Sequence, residues 1–262
     1  MLFMKRLLKV WMLLLLLVLS AVPLHADVGA GTEQLLKKAE ELMGNYRDSE
    51  ALAMYEQVLE AAPDNYTALC KASFLNCRIG ERITDEGTKI AFYAKAKQYA
   101  TKAYELKPTD AEANYVMAAS LGAMAMISGP KQRLAGINQM KTFLDAALAS
   151  NAQHAGAWHL LGRWYFKMAN LNFAEAAASK MFFGGVCGMA TNEEAATALQ
   201  TAIKYNPMKI QYYYDLATVY REMKSTDACT QTLEQAIALE VTTRDELELA
   251  RRSKLMLQEY KK

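Results

Sequence analysis

The side chains with chemical potential are few and badly spaced for catalysis. The chain has three histidines. His154 and His159 lie five residues apart, so on a helix they do not share a face, and no carboxylate or Cys stands at ligand spacing from them. No metal is expected. Gly184-Gly-Val-Cys-Gly188 has the glycines of a phosphate-binding loop but neither its Lys nor a preceding strand. Glu193 and Glu194 fall at a helix start, where negative charge is favoured by the dipole, so they read as a cap rather than an acid/base pair. No catalytic residue and no cofactor is expected, and the chain reads as a non-enzyme.

The four cysteines do not suggest a disulfide framework. Cys70 and Cys77 are seven residues apart on an expected helix, which puts their Cα atoms about 10 Å apart, beyond the roughly 7 Å a bridge allows. Cys229 takes a small apolar packing position. Cys187 sits in the Gly-rich loop, where a disulfide to another site stays open.

What remains is a set of aromatic and cationic residues that would suit a binding surface. Lys71, Phe74, Tyr115, His159, Arg163, Tyr214 and Arg221 each flank a packing position on the first helix of a helix pair, the side that lines a concave groove. Rings and guanidinium groups at such intervals suit an extended or helical peptide, with Arg pairing to a carboxylate. The competing reading has Arg163 in an internal ion pair and the rings packed between repeats. A second candidate is the insertion at 169–189. Leu171, Phe173, Met181, Phe182 and Phe183 are too apolar for a solvated loop, so the segment should cover the chain's own groove, or a partner, a lipid or a second copy. If it lidded a cavity, the chain would carry a lipid or other apolar ligand.

The elements that position these residues follow from composition and period. The 262 residues are 52% hydrophobic and rich in Ala, Leu, Met, Lys, Glu and Gln, with no alternating β-branched runs, so an all-α fold is expected. Trp158, Leu161, Gly162 and Tyr165 set a spacing that recurs. Leu35, Ala39 and Leu42 are followed by Ala51, Tyr55, Val58 and Pro63. Leu69, Ala72, Ser73 and Cys77 are followed by Ala96, Ala100, Ala103 and Pro108. Ala111, Met117, Ala118 and Leu121, opening at Thr109-Asp110, are followed by Phe143, Ala146 and Asn151. Trp158 to Tyr165 is followed by Ala195, Leu199, Ala202 and Pro207. Tyr213, Leu216, Ala217 and Tyr220 are followed by Cys229, Leu233 and Ala236. A small residue where two helices cross, with bulky neighbours on each side, is the packing logic of a tetratricopeptide repeat. The expectation is a right-handed superhelical solenoid of about five helix pairs in one domain, 27–262, with insertions near 78–90, 126–138 and 168–192. A capping helix closes it, opened by Thr243 with Glu246 and carrying Leu247, Ala250, Leu255 and Leu257.

Lys5, Arg6 and Lys9 precede a 13-residue apolar run, Val10 to Val22, and Leu24-His25-Ala26 ends it on a small residue. This is the pattern of a secretory signal peptide, residues 1–26, or else of an uncleaved N-terminal anchor. The chain is expected to be exported, periplasmic or secreted. Removing those three positive charges takes the formal charge from +2 to −1, so nucleic acid is not an expected partner.

The segment Trp158-His-Leu-Leu-Gly-Arg-Trp-Tyr-Phe-Lys-Met-Ala-Asn-Leu-Asn-Phe173, the Ala-rich run to Lys180-Met-Phe-Phe-Gly184 and the start at Thr191-Asn-Glu-Glu194 resemble the regulator of microtubule dynamics family. Gly129-Pro-Lys-Gln-Arg133 through Met140-Lys-Thr-Phe-Leu-Asp-Ala-Ala147 is similar to the stretch ahead of that motif. The likeness covers roughly 33–262 and is specific across about 130–207. It implies a helical adaptor without enzyme activity, whose eukaryotic members are linked to microtubules and organelle membranes. An export signal of bacterial appearance departs from that setting, so the resemblance implies the fold and not a tubulin partner.

Overall fold

The computed structural model describes residues 22–183 and 190–260. The expected leader up to residue 21, Gly184, Gly185, Cys187 and Gly188 lie outside the described residues, as do the side chains of Phe182 and Phe183. Every described element is an α-helix: α1 Val22–Gly44, α2 Asp48–Ala61, α3 Tyr66–Arg82, α4 Glu86–Leu106, α5 Ala111–Met126, α6 Pro130–Ser150, α7 Ala155–Ala169, α8 Phe173–Phe183, α9 Asn192–Tyr205, α10 Ile210–Glu222, α11 Thr226–Ala238 and α12 Arg244–Glu259. The all-α, tetratricopeptide-like fold class is therefore what the chain has. Helix α1 runs through the position expected for signal cleavage. No described helix is long and apolar enough to cross a membrane.

The chain forms two compact units that divide between Ala72 and Ser73, within α3. In the first, α2 folds back on α1, and Ala39, Leu42, Ala51, Tyr55 and Val58 are buried as the repeat spacing requires.

In the second unit, consecutive helices pack as neighbours from α4 to α7, α9 replaces α8 as the companion of α7, and the order resumes to α12. The first helices α5, α7, α10 and α12 also touch in succession. The small residues sit where the repeat predicts. Ala96, Ala100, Ala103, Ala118, Ala195, Leu199, Ala202, Ala217, Cys229 and Ala236 are all fully buried. Gly162 marks the tightest crossing: a Cβ built there would stand 2.6 Å from Leu199 Cγ and 3.1 Å from the Ala195 carbonyl.

Three expectations need correction. The insertion near 78–90 is taken up by longer helices, since α3 runs to Arg82 and α4 starts at Glu86 with Asp85 accepting from Thr88 N–H. The insertion near 126–138 shrinks to the turn 127–129, because Pro130 opens α6 and its Leu134 and Ile137 join the core. Within α6 the packing register is one residue later than read. Leu144 and Ala147 are fully buried, whereas Ala146 is exposed and Phe143 half-buried. Phe143 and Leu144 are adjacent bulky residues and Ala146 and Ala147 adjacent small ones, so their spacing alone fits either register.

Helix ends are set locally. Asp110 caps α5 through Glu112 and Ala113 N–H. Thr191 and Glu194 form a reciprocal capping box on α9. At α12 only half of the expected box forms: Thr243 accepts from Glu246 N–H, and the Glu246 carboxylate reaches Thr242 instead. The turn from α10 to α11 places Lys224 at φ 58°, a left-handed conformation that costs a residue with a Cβ about 1 kcal/mol. Lys224 is exposed, so Lys224→Gly should stabilise the fold by about 0.5 kcal/mol after the entropy cost of glycine, read as a higher midpoint in urea. An unchanged or lower midpoint would refute that account of the turn.

Candidate functional site

The first helices of the second unit bring an aromatic and charged row together, and its residues are mostly engaged with one another. At one end Arg78 lies over the Phe74 ring, 5.1 Å from its centroid. Phe74 meets Tyr115 at 6.5 Å, and Tyr115 meets His154 at 4.6 Å. His154 opens α7: its Nδ1 accepts from Ala157 N–H at 3.0 Å, so Nε2 carries the proton and donates to Glu112 Oε2 at 3.1 Å. The Tyr115 ring rests where Gly156 leaves room, for a Cβ there would stand 2.9 Å from it. Burial pushes the Tyr115 hydroxyl well above its ordinary value, so the ring acts as a neutral wall.

One repeat on, His159 on α7 is only 8% exposed. It stacks on Tyr212 of α10, with centroids 4.4 Å apart, and its Nε2–H donates to Asp215 Oδ2 at 2.7 Å. Gln211 donates to the other carboxylate oxygen at 2.8 Å. Burial pushes the Asp215 carboxyl up, but the bonds from His159, the nearby Arg163 charge and Gln211 together outweigh it and hold the group below its ordinary value. Burial also pushes the Tyr212 hydroxyl up to about 12.

Arg163 is placed differently. It is half-exposed, and its Nε stands 4.0 Å from Asp215 Oδ2. His159 and Gln211 make the short bonds to Asp215, and Arg163 adds its charge from the edge of contact with the rest of its guanidinium toward solvent. The two ends of this row of helices are joined by a separate pair: Arg82, closing α3, donates to Asp245 at the start of α12, at 2.6 Å.

The residues expected for the groove thus fall into groups. Phe74 and Tyr115 come together, and so do His159 and Arg163. His159 is buried and supports Asp215 and Tyr212. Tyr214 and Arg221 turn toward the C-terminal end instead, where Tyr214 packs on the cluster of Ala217, Cys229, Leu233, Met256 and Leu257 and Arg221 is exposed beside the Tyr260 hydroxyl. Lys71 belongs to the first unit and is half-buried.

Sequence reasoning missed Arg78, His154, Gln211, Tyr212 and Asp215. The last three are one helical turn of α10, and a run of three tyrosines followed by Asp was the available signal. Trp164 was missed as core: it is buried and its indole donates to the Ile137 carbonyl at 2.9 Å.

The insertion is ordered by polar contacts. Leu171 is half-buried against the core around Leu161 and Trp164, but Phe173 is 90% and Met181 79% exposed. These two face solvent, while the Glu175 side chain of the same helix is buried. Cys70, Cys77 and Cys229 are not joined in disulfides among the described residues, with burial pushing Cys77 up to about 12. Among the described residues no group of three His, Cys, Asp or Glu is arranged to hold a metal ion.

Paired helices with a Gly or Ala at each crossing and a row of first helices define a tetratricopeptide-like helical-repeat protein. The chain belongs to the family described as regulator of microtubule dynamics protein 1-3, whose model matches residues 35–261. No curated protein sequence matches the chain significantly. Among solved structures the chain is similar to a thermophilic TPR protein in Thermus thermophilus, with a TM-score of 0.63 at 16% identity, covering 87% of this chain and 99% of that one. It is also similar to an IFIT1 monomeric mutant with Gppp-AAAA, with a TM-score of 0.52 at 14% identity, covering 88% of this chain and 55% of that one. At such identities the likeness carries the fold alone.

Proposed function

We propose that the chain is a non-enzymatic scaffold that holds a protein or peptide partner against the row of first helices in its second unit, in an extracytoplasmic compartment. The observation that carries this reading is Arg163. Its neighbours are locked by their own short bonds and stacking, while its guanidinium stays half-exposed at the far limit of an ion pair with Asp215. A rigid aromatic support beneath a cation with spare donors suits a partner carboxylate, which Arg can grip with two parallel bonds. The support costs little entropy on binding because it is already ordered. The export motif of Lys5, Arg6, Lys9 and the apolar run Val10 to Val22 supports the compartment. Whether the leader is removed or kept as an anchor, tubulin is not the partner this reading names.

The carrier reading rested on an apolar lid. With Phe173 and Met181 facing solvent, no observation favours it over the scaffold.

Arg163→Glu tests the scaffold reading, because position 163 is exposed and the change leaves the core alone. We expect the exported, folded variant to lose the proteins that co-purify with the wild type, while Arg163→Lys keeps part of them. Identical co-purifying sets for wild type and Arg163→Glu would overturn the reading.

A further inference from the structure

The first helices of the second unit do not form an open row. Phe74, Arg78 and Arg82 follow i, i+4 and i+8 on one face of α3, and that face meets Tyr115 of α5. Tyr115 lies over Gly156 at the start of α7. His159 stacks on Tyr212 of α10, and Arg163 stands at the edge of contact with Asp215. These contacts fix the level of each helix against the next. Arg82 is eight residues past Phe74 and Arg163 seven past Gly156, so at about 1.5 Å per residue both lie about 10–12 Å beyond the Tyr115 ring. At that level the last helix comes round to the first. Arg82 Nε and Nη2 both reach Asp245 Oδ2 on α12, at 2.6 and 2.5 Å. Beside them Lys209, just before α10, stands 3.8 Å from Glu246. The helices α3, α5, α7, α10 and α12 therefore close into a collar, and Arg163 shares the enclosed face of α7 with Gly156 and His159.

The bore of this collar is narrow. The Tyr115 and Tyr212 hydroxyls, carried by the helices on either side of α7, are near enough for the charge of one to act on the other. Five helices in a circle, each about 8–10 Å from the next, put opposite axes about 15 Å apart, and their own diameter of about 10–12 Å leaves about 5 Å between them. One extended chain takes about that width in a sheet, about 4.8 Å. A folded domain or a helix does not fit.

We propose that the Arg82–Asp245 pair is the clasp of this collar and that the partner meets Arg163 as an extended, acidic tail threaded through it. This rests on the scaffold reading of Arg163 and adds the partner's conformation to it. Arg163 pairs with a carboxylate of the tail, and the neutral Tyr115 and Tyr212 hydroxyls can donate to its main-chain carbonyls. Both members of the clasp are partly exposed, so salt weakens the closure.

Spin labels on ketone-bearing residues at exposed Thr84 and Lys254, which leave the native thiols alone, read the closure in the purified full-length chain. The distance between them should be narrowly distributed at low salt. Asp245→Arg should lengthen and broaden it, and Arg82→Asp combined with Asp245→Arg should restore it. In cells, the adduct from a photoreactive residue at 163 should map to a segment that limited proteolysis removes from the free partner. Asp245→Arg should add adducts with folded proteins, which the swapped pair excludes again. An unchanged distance distribution in Asp245→Arg, or an adduct inside a protease-resistant domain of the partner, would overturn the proposal. No adduct at 163 would remove the scaffold reading and the threaded tail with it, while the distances would still decide the clasp.

Discussion

Gly162→Leu is expected to lower the stability of the second unit by about 3 kcal/mol or more, because an added side chain at this crossing has no room to move into. The first new atom already falls 2.6 Å from Leu199 Cγ and 3.1 Å from the Ala195 carbonyl oxygen. Leu199 can turn, but the backbone of α9 cannot yield without separating the helices that pack on both sides of it. For a domain of this size each kcal/mol moves the melting temperature by roughly 2–4 °C, so a fall of about 6–12 °C should be seen by circular dichroism. Gly162→Ala should show a smaller loss of the same sign. A melting temperature equal to the wild type's would mean that α7 and α9 do not cross at residue 162.

The second large effect belongs to Asp215. Asp215→Ala removes the acceptor for His159, which is buried, and for Gln211. Leaving a buried donor without a partner costs about 1–3 kcal/mol. The upper range for breaking a fully buried ion pair is not reached, since the Asp215 side chain keeps some contact with water. The carboxyl is held below its ordinary value, so its contribution is complete above about pH 5 and falls away as the pH drops through and below the ordinary carboxylate range. The stability gap between wild type and Asp215→Asn should therefore be widest near neutrality and close on acidification. A gap that stays constant from pH 7 to pH 3 would show that the Asp215 charge adds nothing to the fold.

How much of this could be read in the sequence depends on distance along the chain. The repeat was legible because Trp158, Leu161, Gly162 and Tyr165 report a crossing within two helical turns, and the same spacing recurs at Tyr213, Leu216, Ala217 and Tyr220. Gly162 itself was identified in this way. The site was legible only as single positions. Phe74, Tyr115, His159 and Arg163 were marked because each flanks a packing residue, yet the pairing of His159 with Asp215 joins residues 56 apart in the chain, and no local period encodes it. The same applies to Arg82 and Asp245, which are 163 apart. The insertion misled in a different way. Its apolar content suggested burial, but Phe173 and Met181 are exposed while Glu175 is buried beside cations on α6 and α7, an electrostatic contact that hydrophobic patterning does not register.

Arg163, one residue past the small position of the opening motif, is the point on which the functional account rests. The residues around it hold one another by short bonds and stacking, whereas it pairs only at the edge of contact with Asp215 and stays half-exposed. The most direct measurement is in-cell photocrosslinking with a photoreactive residue at 163, and with the same residue at Lys102 on exposed α4 as the reference. The account predicts one discrete adduct from position 163 in the extracytoplasmic fraction and none from position 102. A folded, exported chain that yields no adduct at 163, or the same adducts from both positions, would contradict it.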